Sequence, residues 1–209
     1  MKQVSSFKKI FLVAVILVLV AGAIIYVRYL RGNTKAAQDF SWIYEEDGVL
    51  IDNQYLEEAQ LKEIMAFLEK LPDDRETLVN DGCFIVSFAN VYGENYLETF
   101  RNLYEQGQPT SLLIGKYTDE GDLIISYLLY DGEKVTLVVD TRRDEWARKQ
   151  IFVTQHQYFS ILERERDGSK VKTVLLHNNP EMTIEKWTNL DPADPHAWEG
   201  LFAIADFIN

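Results

Sequence analysis

Cysteine is almost absent from these 209 residues: Cys83 stands alone, so no intramolecular disulfide can form and no pair of thiols is available for redox exchange or zinc. It lies in the apolar run Cys83-Phe84-Ile85-Val86, where a thiol reads as a small buried hydrophobe. Proline is scarce too, with five in the chain. The motifs whose spacing encodes a mechanism are also missing: there is no glycine-rich phosphate loop, no H-E-x-x-H, no G-x-S-x-G and no C-x-x-C. Their absence argues against the common nucleotide enzymes and hydrolases. Acid is lacking over the first 35 residues, which hold Lys2, Lys8, Lys9, Arg28, Arg31 and Lys35 and no Asp or Glu. Base is correspondingly short in the remainder, with 15 Lys and Arg against 33 Asp and Glu. A domain of that charge repels phosphate backbones, and nucleic acid is excluded as a partner.

What is present begins with an apolar run. Residues 10–27 carry no charge and no proline, with Lys8-Lys9 before them and Arg28 after. Eighteen residues at about 1.5 Å each would span about 27 Å of hydrocarbon. The run therefore reads as a transmembrane signal-anchor at 10–27, with a cytoplasmic tail at 1–9 and a tether at 28–40. A cleavable signal peptide is the rival, through Ala21-Gly22-Ala23, but Ile24 to Val27 continue the apolar run past that point. The expected localisation is the cell membrane, single-pass, with an extracytoplasmic α+β domain at 41–209. The membrane is then a partner through the N-terminal helix, and an envelope protein, peptide or glycan is the expected ligand.

Within 41–209 the hydrophobic period changes along the chain. Leu61, Ile64, Met65, Leu68 and Leu71 recur at helical spacing, with Asp52 or Asn53 as cap and Leu71-Pro72 as stop. Residues 84–89 form a short β-rich run. A second helix spans 94–105 through Leu97, Phe100, Leu103 and Tyr104, closed by Gly107. From Thr110 the pattern becomes strands and turns: 111–117, 123–130 and 134–140, then 158–166 and 170–176 joined through Asp167-Gly168. Trp198, Leu201, Phe202, Ala205 and Ile208 suggest a last helix, with Asp194-Pro195 at its start. The expected fold is a β-α-β-meander, an antiparallel sheet curled around a helix and cystatin-like in shape, with additional N- and C-terminal helices. In the middle strand Leu123, Ile125, Tyr127 and Leu129 alternate with Ile124, Leu128 and Tyr130, so both sheet faces should be covered.

Tyr117-Thr118-Asp119-Glu120-Gly121-Asp122, then Tyr130-Asp131-Gly132, then Asp140 with Arg143-Asp144, resemble the pattern Y-T-x-E-G-D-P-I, Y-D-G, D-x-x-R-D. That pattern belongs to an uncharacterised family of bacterial secreted lipoproteins, and the resemblance extends over 77–177. Leu123 replaces the family's proline, and the lipid-bearing cysteine is missing. The resemblance implies an envelope-facing domain of unknown function and supplies no catalytic residues.

Asp140, Arg142, Arg143 and Asp144 are the candidate ligand-binding residues, because a paired guanidinium can clasp a carboxylate ligand. The same four residues also suit a structural clamp on a loop. The acidic turn 119–122 lacks the ordered oxygens of a calcium loop, and His156 with His177 lacks a third zinc ligand. No metal, cofactor or catalytic residue is assigned. The function expected is a non-catalytic binding or sensing domain of the cell envelope. A carboxylate-dependent hydrolase, or an immunity protein against a secreted toxin, are the alternatives.

Overall fold

The computed structural model describes residues 42–87, 90–166, 168–190 and 200–208. They all fall in one unit, Ser41–Asn209; the other unit, Met1–Phe40, lies outside the described residues. The chain opens with a hairpin, β1 (Trp42–Glu46) and β2 (Val49–Asn53). Asp47 and Gly48, both at positive φ, form its turn. Asn53 then organises the approach to the first helix: its side-chain oxygen accepts from the Tyr55 and Leu56 N–H groups, and its amide donates to the Leu56 carbonyl. Helix α1 (Glu58–Glu69) buries Leu61, Ile64 and Leu68, one stripe at three- and four-residue spacing. A short α2 (Arg75–Asn80) follows, capped by Asp74, whose carboxylate accepts from the Glu76 and Thr77 N–H groups.

Next come β3 (Cys83–Ser87), β4 (Asn90–Tyr92) and α3 (Glu94–Glu105), which buries Leu97 and Phe100. A meander follows, with β5 (Thr110–Tyr117), β6 (Leu123–Tyr130), β7 (Val135–Asp140) and β8 (Gln150–His156). The last elements are β9 (Tyr158–Arg166), β10 (Ser169–His177), α4 (Ile184–Thr188) and β11 (Phe202–Ile208). Eight strands make a mixed sheet in the order β1-β2-β8-β7-β6-β5-β3-β4, and a second sheet has the order β11-β10-β9. The meander is antiparallel throughout, but β2 joins β8 and β3 joins β5 in parallel.

Two cores lie on opposite faces of the large sheet. On one face Leu61, Ile64 and Leu68 of α1 meet Ile85, Leu113, Leu123, Ile125, Val138 and Ile151. On the other, Leu97 and Phe100 of α3 pack with Phe84, Ile114, Leu128 and Leu137, and with Phe159, Val174, Leu176 and Phe207 of the small sheet. The alternation along β6 thus sorts its side chains as the sequence implies, Leu123 and Ile125 to the first core, Leu128 and Tyr130 to the second. Gly115 lets β5 pass close to its neighbour, since a Cβ there would lie 2.5 Å from Ile85 Cδ1.

These observations correct the expected architecture. The sheet is not a meander curled around one helix in the cystatin manner: it is a mixed sheet, covered by α1 on one face and by α3 with a second sheet on the other. The C-terminal helix is replaced by β11, and Trp198 and Pro195 lie outside the described residues. Asp52 and Asn53 end a strand, and α1 starts five residues beyond Asn53. The membrane expectations are corrected as well. Among the described residues no helix is long and apolar enough to cross a membrane, and the run 10–27 lies outside them. The transmembrane signal-anchor, the membrane as partner, and the cell-membrane, extracytoplasmic localisation built on them are withdrawn.

Candidate functional site

The four residues singled out by charge sit at the end of β7 and in the loop to β8. Asp140 is the last residue of its strand, buried at 3% exposure. Its carboxylate accepts from the Arg142 backbone N–H at 3.0 Å and, on both oxygens, from the Arg142 guanidinium at 2.8–3.1 Å. That two-pronged contact holds the Arg142 guanidinium above its usual range, and the same Nη2 also donates to the Met65 carbonyl of α1. Arg143 reaches the other way. Its Nη2 donates to the carbonyls of Leu68, Glu69 and Leu71, and its Nη1 to that of Pro72, so it satisfies the helix end that α1 leaves without intrahelical partners.

Asp144 folds the loop on itself, its Oδ1 accepting from the Trp146 and Ala147 N–H groups at 2.9 Å. Asp122, in the acidic turn between β5 and β6, accepts from the Glu145 N–H. Thr141 closes the base of the loop, donating to the Arg148 carbonyl and accepting from the Gln150 N–H. Of the four charge-cluster residues, Asp140 and Arg142 pair with each other, Arg143 bonds the carbonyls at the end of α1 and pairs with Asp73, and Asp144 bonds the backbone of its own loop. The acidic turn, which lacks the ordered oxygens of a calcium loop, supplies one of the loop's anchors.

The clamp's consequence lies at the loop's tip. Trp146 is 80% exposed, the largest value among the exposed large hydrophobic side chains of the described residues. Its backbone is fixed by Asp144 and its neighbour by Asp122, so an indole is displayed on a rigid loop. Sequence reasoning passed over Trp146; its signal was a tryptophan inside a run of polar and charged residues, Arg142 to Gln150.

The other candidates disperse. Cys83 is buried, and desolvation pushes its thiol up to about 12, which leaves no thiolate to act as nucleophile or ligand. His177 stands opposite Tyr158 in the β9–β10 register and stacks on its ring, with Nε2 2.8 Å from Ser160 Oγ. His156 turns elsewhere, donating from Nδ1 to the Gly200 carbonyl and accepting on Nε2 from Thr154. Among the described residues no group of three or more His, Cys, Asp and Glu is placed to hold a metal ion.

No curated protein and no solved structure matches the chain. The segment that carries the clamp, Trp146 and the whole meander does find a counterpart, one that says nothing of secretion or lipid attachment: residues 84–172 match the family model of a domain of unknown function, DUF4362.

Proposed function

We propose that residues 41–209 act as a non-catalytic binding domain that docks onto another protein through the β7–β8 loop, with Trp146 as anchor and Asp140, Arg142, Arg143 and Asp144 as the residues that position it. The reading rests on the 80% exposure of Trp146 on a loop whose backbone is already fixed. Tryptophan is the residue type most often found to dominate binding energy at protein interfaces. A loop ordered before contact gives up little conformational freedom on binding, so more of the indole's burial appears as affinity.

Replacing Trp146 by a photo-crosslinking phenylalanine in the source cells and irradiating them tests this. The expected result is a discrete protein adduct that does not form when the same residue stands at exposed Glu63 of α1. Adducts of equal pattern from both positions, or none from position 146, would overturn the proposal.

A further inference from the structure

A second site lies at the free edge of the small sheet, independent of Trp146. Among the described residues β9 is hydrogen-bonded to a strand on one side only, by β10. The direction of its open edge is marked by Phe159, whose N–H donates to the Tyr104 hydroxyl of α3 at 3.1 Å and so points away from β10. In an antiparallel pair, residues alternate between turning both backbone groups toward the partner strand and turning both away. Ile161 and Glu163 share the parity of Phe159, so their N–H and C=O groups face the same open side.

They face a cleft of about 380 Å³, within the range of about 300–1,000 Å³ typical of ligand pockets. One wall is the edge itself, Phe159 to Glu163; the other is Arg101, Tyr104 and Glu105 of α3, with Lys172 alongside. Arg101 carries the informative atom. Its Nη2 is paired with Glu98 and its Nε with Glu105 at 3.8 Å, an ion pair too long for a hydrogen bond, so the Nε–H is buried without an acceptor although the side chain as a whole is 41% exposed. A buried guanidinium N–H with no acceptor is costly, and an incoming carboxylate relieves it. Glu163 does not compete for that role, because Lys170 holds it at 2.9 Å. The cleft thus offers main-chain donors and acceptors in a row and, across from them, one guanidinium N–H that lacks a hydrogen-bond acceptor.

We propose that this cleft binds an extended peptide by strand addition to β9, and that Arg101 selects a peptide with an aspartate or glutamate at the position facing it. Main-chain pairing with Ile161 and Glu163 supplies sequence-independent affinity, and the Arg101 Nε supplies the preference.

The test uses the full chain and a fluorescein-labelled probe, Thr-Val-Thr-Asp-Thr-Val-Thr, with its ends blocked, followed by fluorescence anisotropy. Three outcomes are expected together. The Asp probe binds at least about tenfold more tightly than the same peptide with Asn at its centre, a difference of about 1.4 kcal/mol. Arg101→Gln, with an unchanged melting temperature, brings the Asp probe to the level of the Asn probe. Probes N-methylated at alternate residues separate into one set that no longer binds and one that binds as before, since only one set donates to the β9 edge. Equal effects from both methylated sets would overturn strand addition, and equal binding of the Asp and Asn probes would overturn the role of Arg101. No binding of either probe at about 1 mM, some 4 kcal/mol of affinity, would overturn the site itself.

Discussion

Asp140 shows how one buried charge can be tolerated in a strand that is otherwise apolar. It is nearly inaccessible, and its partner Arg142 keeps some contact with water, its side chain at 18% exposure. Removing the carboxylate leaves a partly buried guanidinium without its counter-charge, which typically costs about 3–5 kcal/mol when the pair is fully buried. Asp140→Ala is expected at the low end, about 3 kcal/mol, in urea unfolding. Asp140→Ala with Arg142→Met removes both charges and should recover part of that loss. A double variant less stable than Asp140→Ala alone would show that the pair is not the unit holding the loop. Both readings of these residues were visible in the sequence, as a dense cluster of opposite charges at a strand end. Which carbonyls Arg142 and Arg143 would reach was not, because Met65 to Pro72 lie about seventy residues upstream in the chain and come near only when α1 covers the sheet.

Strands and helices differ in how far local pattern carries. Strands β5 to β7 were legible because their hairpins are closed by neighbouring residues, as with Asp131, whose carboxylate accepts from the Glu133 and Lys134 N–H groups; β8, reached across the loop 141–149, and the opening strands β1 and β2 were not read from the sequence. The register of β9 on β10 followed from the turn at Gly168 for the same reason. The C-terminal element misled because β11 contains an irregularity: Val174 pairs with Ala205 and Leu175 with Ala203, leaving Ile204 as an extra residue. Phe202 and Ala205 therefore both reach the core although three residues apart, a spacing that imitates one turn of helix. Phe207 tests the strand assignment. It is 2% exposed and meets Phe84 edge to face at 5.2 Å, so Phe207→Ala should cost about 3–5 kcal/mol in thermal or urea unfolding. A loss below about 1 kcal/mol, the range of surface changes, would place that side chain outside the core.

At the scale of the molecule, one buried group that titrates joins the two sheets and a second lies within the small sheet. His156 ends β8 of the large sheet and bonds the Gly200 carbonyl just before β11 of the small one; His177 lies in β10. Burial pushes both imidazoles below their usual 6.5, opposed by the Gly200 backbone at His156 and by the Asn179 backbone at His177. The sign follows from linkage: the unfolded chain takes up these protons first, so stability present above pH 6.5 is lost as pH falls toward the lower folded values. The carboxylates of Glu163 and Glu181, held low by Lys170 and Lys186, act only below their own usual 4.5, which separates the two windows. Melting temperature should drop between pH 7 and pH 5, and a His156→Gln, His177→Gln double variant should flatten that drop. An unchanged slope in the variant would remove the histidines from the account. The two-core arrangement was partly readable, in the double alternation of β6. The small sheet as a separate layer was not, because nothing in the spacing of Tyr158 to His177 says which strand the hairpin leaves unpaired.

The parallel pairing of β2 with β8 bears on how the chain is made. Leu50 finds its partner at Gln150, a hundred residues later. A ribosome adding about 5–20 residues per second leaves the opening hairpin waiting on the order of 5–20 s for the strand that completes it. Until then β2 presents an open edge, in the nascent chain, to whatever shares the exit site.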